Sequence, residues 1–232
     1  MIKRFLALLL LAGVGAIFTS LLLAYVPDTD LNLTARYYAQ HAASDIGAAN
    51  IVTAIVVTYR GLDTLGEVTV LFLASSIVGL VLSFGQKRNT IQRNLVPVGE
   101  LLTTASNYLA PIIMLLGVYV FVNGHLTPGG GFQGGAIIAS SMLLLLLTDP
   151  FKQFSHALIS TLESFSGIAY VALGLIGLLL AGSFLDSRIL PNGVLGELIS
   201  AGVIPLIYSL IGLKVGAEFT SMLASLSETE DL

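Results

Sequence analysis

Asp63 and Glu67 stand four residues apart in the largely apolar stretch Leu62–Phe84, so a helix there carries both carboxylates on one face. A charge near the centre of a membrane helix costs at least about 2.5–3.5 kcal/mol, so such groups face protein or a water-filled cavity. Two acids one turn apart can hand on a cation or a proton, and Thr64 and Thr69 add oxygens beside them. Oxygen ligands suit a hard ion such as sodium, and a partly desolvated Glu has a raised pKa suited to proton exchange. His125, from the other half of the chain, is a candidate for the same polar route. The structural alternative is that Asp63 caps the helix while Glu67 pairs with Arg60 or with a partner protein.

The second chemically distinctive stretch is Gly124-His125-Leu126-Thr127-Pro128-Gly129-Gly130-Gly131-Phe132-Gln133-Gly134-Gly135, set between two long apolar runs. Three consecutive glycines and a proline are expected to stop a helix. Non-helical backbone near membrane depth survives only where protein or a wet cavity satisfies its polar groups. The stretch therefore reads as a broken helix or a tight interhelical joint, with His125 and Gln133 offering polar atoms. A surface turn rich in turn-forming residues is the alternative.

Other chemistries are excluded or weak. The closely spaced glycines lack a Gly-Lys-Ser/Thr ending and a soluble strand–helix setting, so they are not a nucleotide loop. The three His residues are far apart and show no metal-ligand spacing, and His156 reads as a loop residue near the interface. With no Cys, the chain offers no disulfide, thiolate metal site or cysteine-ligated cluster, and no cofactor is expected. Lys214 and Glu218 read as a snorkelling lysine and a local ion pair near a helix end, with a lining of a proton route as the lesser alternative.

The elements that must position these residues follow from hydropathy. Of 232 residues, 55% are hydrophobic and only 10% charged, against about 25% charged in a soluble domain. The mean hydropathy is +0.91, and the net charge of −4 leaves no basic patch for nucleic acid. The expected fold is all-α, a polytopic integral membrane protein with about six transmembrane helices and a short interfacial helix. A first span over residues 5–25 follows Lys3-Arg4, and a surface loop runs from Asp28 to Asn50. Ile51–Tyr59 is too short to span and reads as interfacial or re-entrant, and Arg60-Gly61 breaks it. Spans are then expected at Leu62–Phe84, Thr103–Phe121, Gly134–Leu147, Ser164–Gly182 and Leu195–Phe219, the last interrupted by Pro205. Gln86–Asn94 reads as a cytoplasmic loop with Lys87, Arg88 and Arg93, and Asp149-Pro150 with Lys152 marks another. Six spans put both termini on one side. The excess of Lys3, Arg4, Lys87, Arg88, Arg93, Lys152 and Lys214 over Arg36, Arg60 and Arg188 places that side in the cytoplasm.

Two resemblances rest on these motifs. The Gly124–Gly135 stretch resembles the signature of the MnhB/MrpB family, the B-type component of the Mrp-type (Mnh-type) Na+/H+ antiporters. It also resembles the equivalent component of membrane-bound hydrogenases, and the likeness covers roughly Glu100 to Met222. Tyr59-Arg60-Gly61-Leu62-Asp63-Thr64-Leu65-Gly66-Glu67, continuing to Phe72, resembles the E-type component of membrane-bound hydrogenases and the carboxy-terminal end of the large A-type component of Mrp antiporters. Thr58 stands where the antiporter pattern has an acidic residue, which leans towards the hydrogenase-type branch. The chain thus resembles two fused subunits, 1–99 and 100–232. The resemblance implies a non-catalytic membrane subunit of a cation/proton antiporter module in the cell (inner) membrane, freestanding or built into a redox-driven enzyme complex. Its partners would be other hydrophobic subunits and the lipid bilayer, with Na+ and H+ moved by the assembly. A purely structural scaffold with no ion contact is the alternative function. The resemblance covers Arg60, Gly61, Gly124, Pro128, Gly129, Gly130, Gly131, Phe132 and Gln133 as motif residues.

Overall fold

The computed structural model describes residues 2–25, 30–85, 99–149 and 154–230. The expected loop Gln86–Asn94 with its three cations, Pro150 and Lys152 lie outside the described residues. Among the described residues there is no strand, and the molecule is an all-α polytopic membrane protein. Among the described residues, six helices are long and apolar enough to cross a membrane: α1 (Ile2–Ala24), α4 (Gly61–Gly85), α5 (Glu100–Val122), α6 (Gly131–Thr148), α7 (His156–Leu180) and α8 (Ile204–Glu230). Between α1 and α4 lie α2 (Leu33–Ile46) and α3 (Ile51–Ala54), the latter continued by a π-helical turn over Ile55–Tyr59.

The chain forms two compact units, Met1–Tyr37 and Tyr38–Leu232. In the first, α1 is an uninterrupted apolar helix. The second is built around α8, whose apolar window is 56% buried while no other span exceeds 39%. Helices α4, α5, α6 and α7 all pack on it. Small residues allow the close approach that membrane helices rely on. A Cβ added at Gly134 would lie 2.6 Å from the Gly117 carbonyl of α5, and one at Gly135 would lie 2.8 Å from the Gly212 carbonyl of α8.

Several elements differ from the sequence expectation. The polar stretch before Asn50 contains α2, capped by Asn32, whose side chain accepts from the Ala35 amide at 2.8 Å. It ends at Gly47, whose φ of +75° suits a helix terminus. The axis turns by 87° between α2 and Ile51–Tyr59, a pair that is either one broken span or a re-entrant loop. Helix α6 starts at Gly131, so the last glycine of the triplet opens the helix. Helix α7 starts at His156 behind a Ser155 cap, so this His is not a loop residue.

The last helix starts at Ile204, not Leu195. Positive φ at Gly193, Gly196, Ala201 and Gly202 keeps 193–203 irregular, and Pro205 falls in the first turn, where its missing N–H is harmless. The same helix runs on to Glu230. Lys214 and Glu218 therefore sit mid-span and buried, at 9% and 0% exposure, and the expected snorkelling lysine is corrected to an enclosed one.

Candidate functional site

The glycine joint between α5 and α6 is a compact turn clasped from outside. Asn123 receives the amides of Leu126 and Thr127 on its carbonyl, both at 2.9 Å. Gly129 has φ +155°, which L side chains rarely adopt. Asn50, the cap of α3, donates its amide group to the carbonyls of Gly124 and Thr127, each at 3.0 Å, and its backbone N–H to the His125 carbonyl. The Thr53 hydroxyl donates to Gly124 at 2.6 Å and in turn accepts from the Tyr208 hydroxyl of α8. The carbonyls of the joint are thus satisfied by protein, as backbone near membrane depth requires. Nothing in the sequence singles out Asn50, Thr53 and Tyr208 for this task.

Close approach fixes the glycine identities. A Cβ at Gly124 would lie 2.6 Å from the Tyr208 ring, and one at Gly131 would lie 2.5 Å from Ile211. Phe132 packs on the core, while Pro128 and Gln133 are exposed. His125 is fully buried, and its Nε2 lies 3.4 Å from the Glu197 carbonyl while Nδ1 has no partner among the described residues. Burial holds its pKa below the usual value, against the opposing pull of nearby backbone carbonyls. Burial thus favours the neutral imidazole, and the contact with a carbonyl requires Nε2 to be the protonated nitrogen.

At the start of α4, Arg60 from the preceding turn and Asp63 form an exposed ion pair at 2.5 Å. Asp63 lies inside the first turn, donating its amide to the Arg60 carbonyl, so it is not the cap. Thr64 is buried and its hydroxyl donates to the Val56 carbonyl in the π-helical turn, tying the two segments together. Thr69 bonds back to Leu65 in its own helix. Glu67 is exposed on the outer side of this chain. Asp63 and Glu67 thus share a face, and the hydrogen-bond partner of the His125 ring among the described residues is the Glu197 carbonyl, not either acid.

Beside Asp63 opens a cavity of about 730 Å³ of mixed lining, to which Asp45, Thr58, Arg60, Asp63, Asp186 and Arg188 contribute polar groups. Tyr59 donates to Asp45 at 3.2 Å and stacks on Tyr38 with ring centroids 4.7 Å apart. Arg188 chelates Asp186 through Nε and Nη2 at 2.9 and 2.6 Å, which holds that carboxyl at a pKa of about 2 and raises that of the guanidinium. Asp186 also accepts from Ser183 at 2.9 Å, fixing the turn that follows α7.

Comparison with known proteins agrees with both motifs. Residues 101–221 match the model of a domain related to the MnhB subunit of Na+/H+ antiporter, and residues 2–95 match the MbhE model, a component of MBH. An uncharacterized protein of Methanocaldococcus jannaschii is 30% identical over 72% of this chain and 72% of its own length. The B-type component of the Na(+)/H(+) antiporter of Bacillus subtilis is 40% identical over 35% of this chain, and the match spans 51% of that protein. The A/B component of a probable K(+)/H(+) antiporter of Rhizobium meliloti is 28% identical over 58% of this chain but only 16% of its own length. Among solved structures, a chain of the membrane-bound sulfane sulfur reductase, an archaeal respiratory membrane complex, has a TM-score of 0.82 at 39% identity, covering 97% of this chain and 98% of its own. A chain of the Mrp complex from Dietzia sp. has a TM-score of 0.79 at 27% identity, covering 97% of this chain and 26% of its own. By its second half and by its fold, the chain belongs to the family of membrane domains related to the MnhB subunit of Na+/H+ antiporters.

Proposed function

We propose that this chain is a non-catalytic membrane subunit of a multi-subunit complex carrying an Mrp-type cation/proton antiporter module. The observation that carries this reading is the end-to-end likeness, at 39% identity, to one chain of an archaeal respiratory membrane complex. The Dietzia match covers only a quarter of a much longer chain, so the respiratory, redox-driven setting is favoured over a freestanding antiporter. In this reading residues 1–99 and 100–232 correspond to two adjacent subunits joined in one chain. The complex lies in the cell membrane with both termini of this chain cytoplasmic. Its partners are other hydrophobic subunits, which cover the outer face of α4. Na+ and H+ are the ions moved by the whole assembly.

Within that assembly, Asp63 and Glu67 are proposed to face a neighbouring protein across an ion path, with Thr64 fixing the break that presents them. The support is their position: two exposed acids on one face of a spanning helix, where lipid contact would be costly. His125 is proposed to hold the joint beside that route. Replacing Glu67 by Gln keeps shape and removes charge. The complex is expected to assemble at normal yield and lose sodium-dependent proton movement. Failed assembly would make Glu67 structural, and unchanged transport would remove it from the ion path.

A further inference from the structure

A second polar line runs inside the bundle, where α4, α7 and α8 meet. The Lys214 ammonium lies 2.8 Å from Oε1 of Glu218, one turn further along α8. It also sits over the Phe72 ring of α4, 4.8 Å from the centroid. Gly167 of α7 lies beside the lysine, where a Cβ would stand in ordinary contact with Nζ at 3.5 Å. Glu218 is fully buried; its Oε1 faces the Lys214 ammonium, while Oε2 has no hydrogen-bond partner among the described residues. Ser75 of α4 donates to the backbone carbonyl of Glu218, not to its carboxylate. On α7, Glu163, Gly167 and Tyr170 are spaced four and three residues apart and share a face. The Tyr170 hydroxyl reaches the Gly61 carbonyl at 3.5 Å, at the start of α4.

The charges around Glu218 are few. Lys214 is on its own helix, and Glu163 of α7 is the one other acid that acts on it electrostatically among the described residues. Helix α6 carries no charged residue, α5 only Glu100 at its first position, and α4 only Asp63 and Glu67 near the Gly61 end. A buried ion pair is weak evidence for stability, because apolar residues of equal volume usually serve a core as well or better. A buried intramembrane carboxylate with one oxygen in an ion pair and the other left without a partner points instead to a site that binds something. The ammonium at 2.8 Å repels a metal cation, which leaves the proton as the ligand that fits.

We propose that Lys214 and Glu218 form a proton-binding site within the membrane-spanning core, additional to the acids on α4. A proton arriving at Glu218 bonds to a carboxylate oxygen and gives a neutral carboxyl. The ion pair then dissolves, and the still-protonated Lys214 is freed to turn towards Glu163. Loss of that proton restores the pair, and no electron moves. What the proton is used for rests on the antiporter reading above, but its binding does not.

The test is pH-difference infrared spectroscopy on the complex purified through this chain, following the carbonyl band of a protonated carboxylic acid. Wild type is expected to gain the band as pH falls and Glu218→Gln to lack it. Lys214→Gln is expected to gain it at higher pH, because the ammonium that favours the ionised form is gone. The double variant Lys214→Gln/Glu218→Gln, neutral throughout, is expected to assemble at wild-type yield and lack the band. A band of equal size in wild type and Glu218→Gln overturns the proposal. So does failure of the double variant to assemble, which would make the pair structural. Absence of co-purifying subunits would count against the functional reading alone, because the band is read on the purified chain in either case.

Discussion

Replacing Gly131 by Ala is expected to damage the protein, and replacing its neighbour Gly130 is not. A Cβ at Gly131 would lie 2.5 and 2.6 Å from Ile211 side-chain atoms and 3.0 Å from the Tyr208 backbone carbonyl. Ile211 is buried at 1% exposure on the central helix, so neither it nor the carbonyl has room to retreat. Helix α6 must move away from α8, which costs about 1–3 kcal/mol as overpacking of a filled core. Replacing Gly by Ala at a helical position returns at most about 1 kcal/mol, so the clash wins. At Gly130 the nearest atoms are the ends of Gln133 and Tyr208 side chains, at 3.0 and 3.2 Å, and the backbone is extended. Thermal unfolding of the purified complex should place Gly131→Ala about 2–10 °C below wild type, using the size scaling of ordinary domains. Gly130→Ala should differ by much less. Equal melting of both variants, or the reverse order, would refute the claim that the triplet is set by contact with α8.

Further outcomes follow from the same geometry. Asn50→Ala leaves the Thr127 carbonyl without its side-chain donor and the Gly124 carbonyl with Thr53 alone, and should cost about 1–3 kcal/mol, seen as lower melting and faster proteolysis between α5 and α6. Asn50→Asp should be worse, since a carboxylate cannot donate to either carbonyl. Asp186 has its pKa lowered from 3.8 to about 2, so its contribution is present above about pH 4 and is lost as pH falls towards 2. Asp186→Asn should therefore lower the melting temperature at pH 7, with the gap to wild type closing below pH 4. Breaking the exposed Arg60–Asp63 pair with Arg60→Ala should cost no more than about 1 kcal/mol, so a large loss of stability would show a second role for the arginine.

The spans were legible because each is a long apolar run, and the two motifs were legible because ordered Gly, Pro, His and acidic residues are rare inside such runs. Their limits were less so. Helix α2 is too polar to announce itself by hydropathy, although Asn32 as a cap and Gly47 as a terminator are local signals for it. The early polar residues of α7, from His156 to Glu163, disguised the start of that span, although Ser155 stands at its head as a cap. The apolar run from Leu195 hid the irregular 193–203 segment, where Pro205 marked the true start of the helix. The clasp on the joint was illegible, because Asn50 and Tyr208 lie far from Gly124 in sequence and meet it only through packing. The burial of Lys214 and Glu218 was misread for a related reason: hydropathy falls after Phe219, but the helix continues to Glu230, about three more turns.

The central claim is that this chain works as one subunit of an ion-translocating membrane assembly. The direct measurement is to purify the tagged chain from its native membranes in mild detergent, identify what accompanies it, and reconstitute the product into liposomes. The account predicts a defined set of other hydrophobic subunits and redox subunits, and sodium-dependent proton movement by the assembly that the chain alone does not support. A stable, monodisperse single chain that moves ions by itself would contradict it.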